Sequence, residues 1–95
     1  MAKKINDESL ESLPNIGPII AGKLRKIGIK TKSDFLKHDP FEIFDTLLRK
    51  SDPTLCRCAL ASIVGANLGV VWHEITKKTA MEYSRRHPEH KWGNC

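Results

Sequence analysis

The chain predicts an all-α fold, a compact bundle of five to six short helices. Strand signals are nearly absent, helix-start signals recur along the sequence, and apolar residues repeat at helical spacing. Ninety-five residues make one small domain. We expect the domain over residues 1–86 and a polar tail over 87–95.

Taken in order, Asn6 or Asp7 caps a short first helix ending near Ser12, with Leu10 and Leu13 facing inward. A second helix runs from about Pro18 to Ile27. Pro suits its first position, where the missing N–H would have no partner anyway. Ile20, Leu24 and Ile27 then share the core face, and Gly28 fits the left-handed position that ends a helix. Thr31-Lys32-Ser33-Asp34 resembles a capping box and opens a third helix, Lys32 to Lys37. Asp39-Pro40-Phe41-Glu42 opens a fourth, with Phe41, Phe44 and Leu48 on one face. Asp52-Pro53 repeats the cap-plus-Pro device for a fifth helix. That helix is apolar on nearly every side from Leu55 to Leu68, which makes it the buried central one. Gly65 and Gly69, four apart, suggest close packing of a neighbouring helix. Trp72, Ile75, Thr79 and Tyr83 keep helical spacing for a sixth helix ending near Arg86, with Trp72 and Tyr83 in the core. Trp92 is expected to pin the tail. A second hairpin is conceivable at Ile63–Gly69, although that stretch has no Pro and no tight Gly-x-Gly.

Charge separates the candidate partners. The formal net charge is +5, and residues 23–32 hold five cations (Lys23, Arg25, Lys26, Lys30, Lys32) with no acid. Such a patch is the electrostatic footprint of a nucleic-acid binder. The N-terminal residues lack an apolar signal segment, and the most apolar stretch, Ala59 to Trp72, is too short to span a bilayer. Three cysteines, at 56, 58 and 95, and no export signal indicate reduced thiols and a cytoplasmic protein without membrane contact.

The cations follow directly on Leu13-Pro14-Asn15-Ile16-Gly17-Pro18. A sharp reversal between helices needs positive φ; Gly supplies it freely and Asn is the best substitute. Gly17 therefore has a backbone reason to be Gly, Asn15 is tolerable, Ile16 anchors the loop and Pro14 stiffens its entry. The first N–H groups of the following helix have no internal partner and carry partial positive charge, which makes them a phosphate site. The candidate nucleic-acid-binding residues are Pro14, Asn15, Ile16, Gly17, Lys23, Lys26 and Lys30. Their contacts would be to phosphate and carry little sequence information.

The run resembles the helix-hairpin-helix nucleic-acid-binding motif, whose hairpin usually reads Pro-Gly-Ile-Gly. Many members of that motif place Lys, Arg or Thr where this chain has Ile19 and Ile20. Ile19 shares a face with Lys23 and Lys26 and would suit a protein contact. From Leu10 to about Trp72 the chain resembles the small bacterial family of pathogenicity-locus or mitomycin-resistance-like proteins. The hairpin, Gly28-Ile29-Lys30-Thr31, Asp39-Pro40, and Asp52-Pro53 leading to a Cys-containing apolar helix and Trp72 carry this likeness. The hairpin is also similar to the C-terminal domain of TfoX-type competence regulators. The resemblance implies an all-helical DNA-binding-type domain, non-enzymatic and without a cofactor. A protein-interaction module on the same fold, or a homodimer, is the alternative.

Metal and catalytic readings are weaker. His87, His90 and Cys95 could act as ligands with Cys56 or Cys58, but their spacing fits no familiar zinc pattern. Side chains two apart on a helix diverge by about 200°. Nothing places a cysteine beside a histidine base.

Overall fold

The computed structural model describes residues 8–92. Among these residues there are five α-helices and two 3-10 turns, and no strands. The helices are α1 (Pro18–Lys26), α2 (Lys32–Leu36), α3 (Pro40–Lys50), α4 (Arg57–Leu68) and α5 (Thr76–Arg86). The 3-10 turns, Leu10–Ser12 and Trp72–Glu74, precede α1 and α5. None of the described helices is long and apolar enough to cross a membrane.

Side-chain caps set two of the five described α-helix starts. Thr31 caps α2, its Oγ1 accepting the Asp34 N–H at 3.0 Å. Asp39 caps α3, accepting the Phe41 N–H at 2.8 Å, with Pro40 as the first helical residue. Gly28 leaves α1 at φ +91°, the left-handed backbone expected there.

Four expectations are corrected. The first helix is only the 3-10 turn Leu10–Ser12, capped by Ser9; the Asn6 and Asp7 caps lie outside the described residues. Asp52-Pro53 does not open α4. The helix starts three residues beyond Thr54, with Cys56 as its extended cap, because Asp52 spends its carboxylate on a local turn. Asp52 Oδ1 accepts both the N–H and the hydroxyl of Thr54, at 2.9 and 2.5 Å. Such Asx turns compete with helix initiation. Residues 63–68 are continuous helix, so no second hairpin forms there; the reversal comes at Gly69, φ +78°. Trp72 lies in a 3-10 turn and is 37% exposed, because the helical register breaks at Ile75 (φ −124°, ψ 7°).

The core sits around α4, where every residue from Leu60 to Ala66 is buried. Leu24 of α1, Phe35 of α2, Phe44 and Leu47 of α3, and Tyr83 of α5 close on it. Full burial of one such apolar side chain is worth about 1.5–3 kcal/mol. The inward face of α3 centres on Ile43, Phe44 and Leu47, with Phe41 and Leu48 at its margins. Residues 87–92 fold back onto α5. Trp92 packs against Tyr83 and Phe44, at centroid distances of 5.4 and 5.8 Å, and its Nε1–H donates to Ser84 Oγ.

Tyr83 joins α5 to α3 by donating its hydroxyl to Asp45 Oδ1 at 3.2 Å. Burial, and then the Asp45 carboxylate, push the Tyr83 hydroxyl up to about 12 from its ordinary 10.0. The fold therefore favours neutral Tyr83. That contribution is complete below pH 10 and is lost as pH rises through 12. In urea titrations the midpoint is expected to fall across this window, and Tyr83→Phe to fall less; equal falls would show that other groups govern it.

Candidate nucleic-acid interface

The turn before α1 is built on Asn15, the one non-glycine residue with positive φ (69°) among the described residues. Asn tolerates this backbone better than other side chains do. Its side chain is also tied on both atoms. Nδ2 donates to the Val70 carbonyl at 2.8 Å and approaches that of Ser62 at 3.5 Å. Oδ1 accepts the Trp72 N–H at 3.2 Å. Two carbonyls facing one atom and an N–H facing the other fix the orientation of the amide.

Gly65 makes room for this staple. A Cβ there would stand 2.6 Å from Asn15 Nδ2 and 2.6 Å from the Val70 carbonyl oxygen. The close approach at Gly65 is thus to a side chain and a turn, not to a neighbouring helix. Gly69, four residues on, serves a separate purpose as the left-handed exit of α4.

Gly17 departs from expectation. Its φ of −95° and ψ of −177° are open to any residue, and a Cβ would meet nothing within 4 Å. The reversal is made at Asn15, so the positive-φ requirement falls there and not on Gly17. Ile16 is 5% exposed and anchors the loop as expected, while Pro14 is exposed. Beyond Gly17 the first intrahelical bond is Ala21 N–H to the Gly17 carbonyl, at 3.0 Å. The Ile19 and Ile20 amides precede it and have no helical acceptor. The first turn of α1 carries no acid, and Ile19 is 74% exposed.

The basic run is divided. Lys23 is half-buried and pairs with Asp52 at 3.0 Å; Arg25 pairs with Glu11 at 3.0 Å. Lys26 and Lys30 are exposed, and neither pairs with an acid among the described residues. The Lys30 N–H donates to Asp34 Oδ2, which holds its backbone against α2. The candidate cations thus separate into Lys23, whose charge is balanced, and Lys26 with Lys30, whose charge faces solvent. Composition reveals the run but not which acids fold back onto it. Asp52 was legible only as a helix cap.

Elsewhere, no group of three His, Cys, Asp or Glu residues is placed to hold a metal ion among the described residues. Cys56 and Cys58 are half-buried at the start of α4, and Cys95 lies outside the described residues.

Two variants separate backbone from side chain at the staple. Asn15→Gly keeps the left-handed turn and removes the three polar contacts; we expect a loss of about 1–3 kcal/mol in urea unfolding. Asn15→Ala should cost roughly 1–2 kcal/mol more, through positive-φ strain. Equal losses would mean that the turn is not strained. Acid unfolding probes the neighbouring clasp. Hydrogen bonds from Thr54, then Lys23, hold the Asp52 carboxyl down at about 2, below its ordinary 3.8. Its contribution is present above pH 3.8 and is lost as pH falls toward 2. Asp52→Asn is expected to flatten that part of the stability profile.

Residues 3–68 match the pathogenicity-locus family Cdd1. The chain is also similar to a crystal structure of an uncharacterized protein from Listeria monocytogenes, with 27% identity and a TM-score of 0.71. That likeness covers 86% of this chain and 97% of the other. No curated protein matches. The family match takes in the Asn15 turn, the divided basic run, the Asp39-Pro40 start and the whole of α4, and this chain belongs to the Cdd1 pathogenicity-locus family.

Proposed function

We propose that the domain binds the phosphate backbone of DNA, without sequence preference, at the first turn of α1. The observation that carries this reading is an exposed, acid-free start on a nine-residue helix whose far end carries the uncompensated Lys26, with Lys30 just beyond it. Unpaired amides and the helix dipole attract a phosphate, and the lysines add unbalanced positive charge. In this reading the segment works as a helix-hairpin-helix, with a 3-10 turn in place of its first helix. Lys23 then serves the fold through Asp52 and leaves ligand contact to its neighbours. The site would position a backbone in the cytoplasm and perform no catalytic step.

A second reading rests on Ile19. It stands 74% exposed, and Val71 and Trp72, also exposed, flank the backbone that Asn15 holds. An apolar group beside the hairpin favours a protein partner, or a second copy that would raise DNA affinity by avidity.

Anisotropy titrations of labelled duplex DNA at increasing salt test both readings. Two phosphate contacts give a log–log slope of about −2 for the unmodified protein. Lys26→Glu with Lys30→Glu should bring the slope close to zero and sharply reduce low-salt affinity. Unchanged affinity in that variant would sink the DNA reading. Ile19→Gln, which removes the apolar group without adding charge, should leave DNA binding within about twofold if Ile19 serves a protein partner only.

A further inference from the structure

Along α5 lies a groove of about 760 Å³ without a single carboxylate in its walls. His73 stands at one end, Lys77, Met81 and Arg85 follow along the helix, and Arg57 and Trp92 line it from α4 and the tail. The other groove on α5 includes Glu74 and Glu82 among its lining residues. The two grooves share Lys77, Met81 and Arg85, and of the two it is this one that lacks a carboxylate. Arg85 shares its charge with Glu82, at 2.6 Å. Arg57 and Lys77 are exposed, with no acid in ion-pair range among the described residues.

The His73 end of the groove is one residue from the backbone that Asn15 holds. Asn15 accepts the Trp72 N–H, and His73 is the next residue. The eleven residues of α5 extend it by ~16 Å. We infer that this groove takes a single nucleic-acid strand, whose backbone continues from the α1 amides past Lys77 and Arg85 to Arg57. A basic channel with apolar and aromatic walls at intervals suits phosphates on its rim and bases within it. A shallow groove lined by Met81 and Trp92 can pack against the bases of one strand, whereas a duplex keeps its base faces stacked inside. The inference rests on the hairpin reading for the nature of the ligand, and it adds a preference for single strands.

The test is anisotropy with a labelled oligothymidylate and a duplex of equal length, on the full chain. Arg57→Gln with Lys77→Gln changes two exposed side chains; circular dichroism checks the fold, and each single variant is measured alongside. The double variant should lose single-strand affinity by about tenfold, and its salt slope should shrink by roughly 1.4, while duplex binding stays within about twofold. Unchanged single-strand affinity, or an equal loss on duplex, overturns the groove. So does polyglutamate that displaces the oligothymidylate at equal charge concentration, since it would assign an acidic polypeptide instead. The Lys26→Glu with Lys30→Glu variant separates the two readings. If it binds both DNAs normally while the groove variant fails on single strands, the hairpin reading falls and the groove stands. The converse pattern retains the hairpin and removes the groove.

Discussion

One side-chain amide holds the two ends of this domain together. Asn15 lies in the first third of the chain, and its partners Ser62, Val70 and Trp72 lie 47 to 57 residues further on. The bonds to Ser62 and Val70 are partly buried and that to Trp72 is exposed, so leaving the Val70 carbonyl unpaired would cost more than an exposed turn contact. Three features meet there: the left-handed turn that aims α1, the exit of α4, and the bare Cα of Gly65 that admits the amide. The orientation of the α1 start relative to α5 follows from this meeting point. Both the candidate phosphate site and the groove depend on it.

Ion pairs determine which part of the basic surface remains available. Asp52 draws in Lys23 and Glu11 draws in Arg25, so four side chains connect the outer face of α1 to the segments on either side. Pairs that keep contact with solvent, as the half-buried Lys23–Asp52 and the exposed Arg25–Glu11 do, add little stability, typically about 0–1 kcal/mol. Their larger effect is on the field, because they neutralise the first two cations of the run and leave Lys26 and Lys30 uncompensated. The same division occurs on α5, where Glu82 engages Arg85 and Arg86 while Lys77 remains open.

Much of the fold was legible because its signals are local. Thr31, Asp39-Pro40 and Gly28 act within one helical turn of themselves, and each does what its residue type implies. The burial of α4 was equally plain, since an all-round apolar helix has no solvent face to offer. The failures have two physical causes: local turns that compete with the helix, and partners distant in sequence. Asp52 looks like a cap, yet Thr54 and Lys23 claim its oxygens. Trp72 keeps the spacing of a helix, yet a 3-10 turn changes the angle per residue and moves its ring outward. At the hairpin, Ile16 and the need for positive φ were readable, but that need was assigned to both Gly17 and Asn15 and is met at Asn15 alone. No local pattern announces that an Asn side chain will bond backbone groups more than fifty residues away, and Gly65 became intelligible only with that contact in view.

The two tryptophans occupy unlike surroundings, and this has an optical consequence. Trp72 is 37% exposed, with its backbone N–H bonded to Asn15, whereas Trp92 is packed with Phe44, Tyr83 and His90. An indole facing water relaxes to longer emission wavelengths than one held among rings. The chain therefore carries two intrinsic dyes of different colour, one beside the α1 turn and one on the returning tail. Events at the turn register in the red part of the emission, and loosening of the tail registers in the blue.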